Sequence, residues 1–144
     1  MILEAIQPYY RRDQSSGITA PNIAKCCSHA EHIVRARGKR DQYTSVSLDP
    51  SKIHDFGDKL YRLLKEKLSE DGHDLVEHDM LLMSLREIAA SGNKADKARA
   101  LQALRYAKKR KEGLICWRFD ICSIEAKDII SWAYSKVQPY FVGV

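Results

Sequence analysis

The sequence predicts a mainly α fold with a small β component: a single compact domain of about five helices and two short strands. Three observations lead there. Apolar residues recur at helical spacing along most of the chain, as in Ile53, Phe56, Leu60, Leu63, Leu64 and Leu68. Only YTSVSL at 43–48 and LICWRFDIC at 114–122 alternate with the period of a strand. Turn residues separate these segments, as in Asp71-Gly72 and Ser91-Gly92-Asn93. With 144 residues, 44% of them hydrophobic and 30% charged, the chain can bury one real core.

Taken in order, residues 1–18 read as an N-terminal arm and 19–144 as a helical core. In the arm, Pro8 interrupts the spacing of Ile2, Ile6 and Tyr10, and DQSSG (13–17) is a loop. Thr19 caps a helix with Pro21 in its first turn. Its stripe is Ile23, Cys26, Cys27, Ala30, Ile33 and Val34, and Gly38 stops it. After the strand at 43–48, Asp49-Pro50 opens a second long helix that ends at Asp71-Gly72.

A third helix, 75–90, carries Val76, Met80, Leu82, Met83 and Ile88. A fourth runs from Lys94 to Lys111, stopped by Gly113. Beyond the strand at 114–122, Ser123 caps a last helix, 124–137, which Pro139 terminates. QPYY (7–10) and QPYF (138–141) match, but their flanks do not, so no repeat is assigned.

Charge is segregated along the chain. Residues 1–42 hold seven basic and four acidic side chains, 43–91 six and ten, and 92–144 eleven and five. Such segregation creates a local field that attracts anions. The basic end is concentrated in the fourth helix, where Lys94–Lys111 has eight Lys/Arg and one acid, Asp96. On a helical wheel Ala100, Leu101, Ala103, Leu104 and Ala107 take one side. Arg99, Gln102, Arg105, Tyr106, Lys109 and Arg110 take the other, with Lys94 at the start. Guanidinium and ammonium groups suit phosphates, the amide suits base edges, and the ring suits stacking. A second basic cluster, Arg35, Arg37, Lys39 and Arg40, ends the first long helix. Helix, tight turn, basic helix and strand in succession over 83–121 are similar to part of a winged helix, whose second helix enters the major groove. KKRK (108–111) also matches a short nuclear-import pattern.

Two other stretches carry chemistry. CCSHAEH (26–32) offers two thiols and two imidazoles. Zinc needs four converging ligands. On the wheel Cys26 and Cys27 fall with the core residues, while His29 and His32 fall on the solvated side, so no metal is assigned. HDLVEHD (73–79) repeats His-Asp, and with His54, Asp120 or Asp128 it outlines a metal-dependent phosphohydrolase of HD type. The bland explanation is that Asp74, Glu77 and Asp79 favour a helix N-terminus. No phosphate-binding glycine loop, Walker lysine or GxSxG occurs, and nothing calls for a cofactor. Ser, His and Asp are present without a spacing that argues a triad.

No signal peptide and no membrane span is read, so a cytoplasmic or nuclear protein is expected, not a secreted one. The first functional expectation is a small non-enzymatic protein that binds DNA or RNA through helix 94–111. The alternative is an interaction or effector module, of the viral or mobile-element type, that docks an acidic or host partner or forms a homodimer through its Met/Leu-rich third helix. The third is the HD-type phosphohydrolase.

Overall fold

The computed structural model describes residues 7–34, 41–119 and 129–144. They form strands β1 (Tyr10–Asp13), β2 (Tyr43–Ser47), β3 (Lys59–Leu63), β4 (Asp74–Val76), β5 (Glu112–Cys116) and β6 (Phe141–Gly143). The helices are α1 (His29–Val34), α2 (Lys65–Glu70), α3 (His78–Ser91), α4 (Lys94–Arg110) and α5 (Ile129–Val137). The six strands make one antiparallel sheet in the order β4-β5-β2-β1-β3-β6. The expectation of a mainly α, winged-helix-like domain with two short strands is therefore corrected to a mixed α/β fold.

The sheet is covered on both faces. Successive residues of a strand point to opposite sides. In β5, Leu114 packs with Ala30, Ile33, Leu81, Leu85 and Ala100–Ala107 of α1, α3 and α4. Its neighbour Ile115 packs instead with Val46, Tyr61, Leu68, Val137 and Tyr140, the α2 and α5 side. Burial on both faces explains why β2 and β5 read as nearly continuous buried runs.

The largest correction lies at 50–70. Asp49 does cap a turn, its carboxylate accepting from Ser51 N–H, but only a 3-10 turn follows, Pro50–Lys52. A second, His54–Phe56, leads to Gly57 and then to β3. Gly57 has φ +156°, and a Cβ there would lie 2.5 Å from the Asp13 backbone. This close approach seats the turn against β1 and rules out a continuous helix. Tyr61 and Leu63 are buried while Lys59 and Arg62 are exposed, which is strand alternation.

The helix expected from Thr19 to Gly38 shrinks to α1 within the described residues. Residues 74–76 are strand before α3 begins. Tyr10–Asp13, read as part of an arm, sits inside the sheet. The fourth helix matches its expectation closely, with Asn93 capping Asp96 N–H and Lys111 ending it in a left-handed conformation, φ 50°.

QPYY and QPYF flank the same strand. Tyr9 C=O accepts from Leu63 N–H at 2.9 Å, and Tyr140 C=O from Leu64 N–H at 2.8 Å. No described helix is long and apolar enough to cross a membrane.

Candidate catalytic centre

Between β1 and β2 the sheet nearly divides, because the register there holds one residue pair, Tyr10 and Ser47. A polar cluster sits at this seam. Arg11 of β1 donates from Nη1 to the Ser45 carbonyl of β2 at 2.9 Å and from Nε to Asp13 Oδ2 at 3.0 Å. Those bonds engage two of the five N–H groups of its fork. Ser45 Oγ donates to Glu112 Oε2 of β5 at 3.0 Å. On its other side Ser45 Oγ lies 2.7 Å from His32 Nε2 of α1. His32 Nδ1 in turn lies 2.7 and 2.8 Å from the two oxygens of Asp41. Asp41 also accepts from Tyr43 N–H and from the Cys27 thiol.

Glu112 is 1% exposed. Burial pushes its carboxyl above the usual range, against the pull of His32, Arg110 and Arg11. Burial also works against the Asp41 carboxylate, but the His32 hydrogen bond and charge win and hold it low. Glu112 Oε1 makes no hydrogen bond, and neither does Arg110 Nη1, although both atoms are buried and only 3.7 Å apart. Orphaned groups of this kind are rare and costly in a folded interior. Arg110 links the buried carboxylate to the surface, since its Nη2 is 3.8 Å from the half-exposed Asp55. The guanidinium groups of Arg11 and Arg110 both lie over the Phe56 ring, at 5.1 and 5.4 Å from its centre.

Asp41, His32 and Ser45 have the order of a hydrolytic triad. Ser45 is not a nucleophile of that kind. Its hydroxyl already serves Glu112. It also stands mid-strand, opposite Leu114 in the β2–β5 ladder.

The residues named from sequence for nucleic-acid binding that the structure describes all lie on α4. Lys94, Gln102, Arg105 and Lys109 are exposed on α4, beside Lys97, Lys108 and Lys111. Arg99 pairs with Asp96 at 3.2 Å. Tyr106 packs partly into the core, and Arg110 turns inward over it, 14% exposed. Arg110 therefore belongs to the seam and not to the basic strip. Arg35, Arg37, Lys39 and Arg40 lie outside the described residues, as do Cys122, Asp120 and Asp128.

In the Cys/His stretch the wheel is inverted. Cys26 is exposed, whereas His32 is largely buried, because α1 starts at His29 and not at 21. Among the described residues no group of three or more His, Cys, Asp or Glu is placed to hold a metal. His73 is buried against Trp117, Phe119 and Tyr140 and accepts from Arg118 N–H, while His78 Nδ1 lies 2.9 Å from the Glu112 carbonyl. On the third helix Met80 and Met83 are exposed and Leu81 and Leu85 buried. A surface cavity of about 520 Å³ lined by Pro8, Arg62, Leu64, Lys65 and Glu70 lies elsewhere, along β3 and α2.

Sequence reasoning missed Asp41, Ser45, Glu112 and Arg11. One faint signal existed. Glu112 is the acid that closes the run KKRK and opens an apolar strand. No family model, no curated protein and no solved structure matches this chain.

Proposed function

We propose that the chain is a group-transfer enzyme acting on a phosphorylated sugar or nucleotide, with Glu112 as its catalytic carboxylate. The observation that carries this reading is the buried ion pair at the seam: Glu112 Oε1 and Arg110 Nη1 lie 3.7 Å apart, and neither makes a hydrogen bond. A buried carboxyl with a raised pKa, set among cations, marks a candidate working site. Arg110 and Arg11 offer forked donors that match phosphate oxygens. Glu112 Oε1 accepts a sugar hydroxyl, or stabilises positive charge growing at an anomeric carbon as its bond to the leaving group breaks. Ser45 Oγ fixes that carboxylate in place, and Arg11 in turn holds the Ser45 carbonyl.

The test is calorimetric titration with phosphorylated sugars, nucleoside mono- and diphosphates and dinucleotides, followed by mass analysis of the products. Binding of one class, weakened by Arg110→Ala, with turnover lost in Glu112→Gln, is expected. Absence of binding across the panel overturns the reading.

A second reading keeps the expectation of nucleic-acid binding. It is supported by Lys94, Lys97, Arg105, Lys108 and Lys109, all exposed along α4, and by the exposed Lys111 at its C-cap. Fluorescence anisotropy with labelled DNA and RNA across a salt series tests it. Binding should weaken steeply with salt and be lost in the Arg105→Glu, Lys109→Glu double variant. No binding at low salt removes it.

A further inference from the structure

We propose that His32 and Glu112 share one proton through the Ser45 hydroxyl, so that His32 is a positioning residue that sets the charge on Glu112. This rests on the reading of Glu112 as the working carboxylate, but it is tested without any substrate.

Asp41 faces His32 with both oxygens, at 2.7 and 2.8 Å, and a carboxylate only accepts. Nδ1 therefore carries a hydrogen, and Nε2 is the atom turned to Ser45. A serine hydroxyl has one hydrogen to give, yet Ser45 Oγ stands between two potential acceptors, His32 Nε2 at 2.7 Å and Glu112 Oε2 at 3.0 Å. Two arrangements satisfy every atom. In one, Nε2 is protonated and donates to Ser45, which donates to ionised Glu112. In the other, Glu112 is protonated and donates to Ser45, which donates to neutral His32.

The two hold the same number of protons. To pass from the first to the second, the Nε2 proton moves to Ser45 Oγ as the hydroxyl's own proton moves to Glu112 Oε2. Removing that proton to solvent leaves neutral His32 and ionised Glu112 competing for the one serine hydrogen, with a buried acceptor unpaired. The last proton is thus held by the pair and not by either group, as in other coupled sites.

The groups facing the pair are known from each element packed on it. Asp41 precedes β2, with the Cys27 thiol hydrogen-bonded to it; Tyr43 lies on β2, His29 on α1, His78 on α3, Arg110 on α4 and Arg11 on β1. His32 is the more exposed end, at 12% against 1%, so protons exchange with solvent there.

The experiment follows the full chain through a pH titration with two probes. Infrared difference against Glu112→Gln reads the protonated carboxyl, and nitrogen-15 NMR reads the His32 ring. In the native protein both probes should report the same midpoints, because each proton belongs to the pair. Ser45→Ala should give each probe its own midpoint, and Ser45→Thr, which keeps the hydroxyl, should bring the two probes back into agreement. Different midpoints for the two probes in the native protein overturn the proposal, whether or not the alanine variant folds. Because no ligand is present, failure of the nucleotide titration leaves this result intact, and the converse also holds.

Discussion

The Tyr9 hydroxyl accepts the main-chain N–H of His78 at 2.7 Å, so a side chain from the sheet caps the N-terminus of α3. Glu77, at the N-cap position, makes no side-chain cap of its own. The first amides of a helix have no intrahelical acceptor, and here a phenol from 69 positions away supplies one. The Tyr9 ring also lies over Gly113, where a Cβ would sit 2.8 Å from it. Tyr9→Phe keeps the ring and removes the acceptor. It should cost about 1–2 kcal/mol, seen as a lower denaturant midpoint with unchanged m.

Gly57 offers a sharper test of the turn that replaces the expected helix. Its φ of +156° suits glycine, and any Cβ would meet the Asp13 main chain. Gly57→Ala should destabilise by roughly 3 kcal/mol or more, with loss of soluble protein at 37 °C as the simple readout. A near-neutral effect would show that β1 and the turn do not pack as described.

Acid stability should depend on His73. Burial among rings lowers its pKa below the ordinary 6.5, against the pull of Asp71 and Asp74. A depressed folded value means the contribution is complete above about pH 6.5 and is lost as pH falls through the folded value. Burial and the neighbouring His32 depress His29 in the same direction. Thermal unfolding at falling pH should show Tm dropping below that point. The drop should be shallower in His73→Gln, measured as the slope and not as absolute Tm.

Glu112 gives the opposite sign. Its folded carboxyl is raised by burial, so its stabilisation is complete below the ordinary value of about 4.5 and is lost as pH rises through the folded value. Glutamine mimics the protonated acid. Glu112→Gln should gain stability relative to the native protein as pH rises, by about 1–2 kcal/mol at the alkaline end. Parallel curves would mean that Glu112 titrates as an exposed carboxyl does.

Local signals were legible in the sequence. The turn Ser91-Gly92-Asn93 and the alanine stripe 100, 103 and 107 marked α4, and the alternation of 43–48 marked β2. Ambiguity began where one pattern fits two periods. Leu60, Leu63 and Leu68 suit a helix, yet Tyr61 and Leu63 are the buried pair of β3. What decides between them is Gly57 against Asp13, a contact absent from any local window.

The seam was illegible for the same reason. Arg11 reaches Ser45 across 34 positions and Ser45 reaches Glu112 across 67. Each of these residues is ordinary alone. The basic character of α4 was plain, but Arg110 belongs to the interior because Phe56 and Glu112 lie beneath it, and no charge count reveals that.

The strand order also dictates the tempo of folding. β3 is held by β1 on one side and by β6 on the other, and Ile18 N–H closes on Gln138 Oε1 across 120 positions. The α3–α4 hairpin, joined through Gly92 and Asn93, needs only near neighbours. Helices of that kind form in about a microsecond, whereas distant strands wait on loop closure. Refolding should therefore be paced by the β1-β3-β6 half of the sheet, with the helical hairpin in place long before the polar seam is assembled.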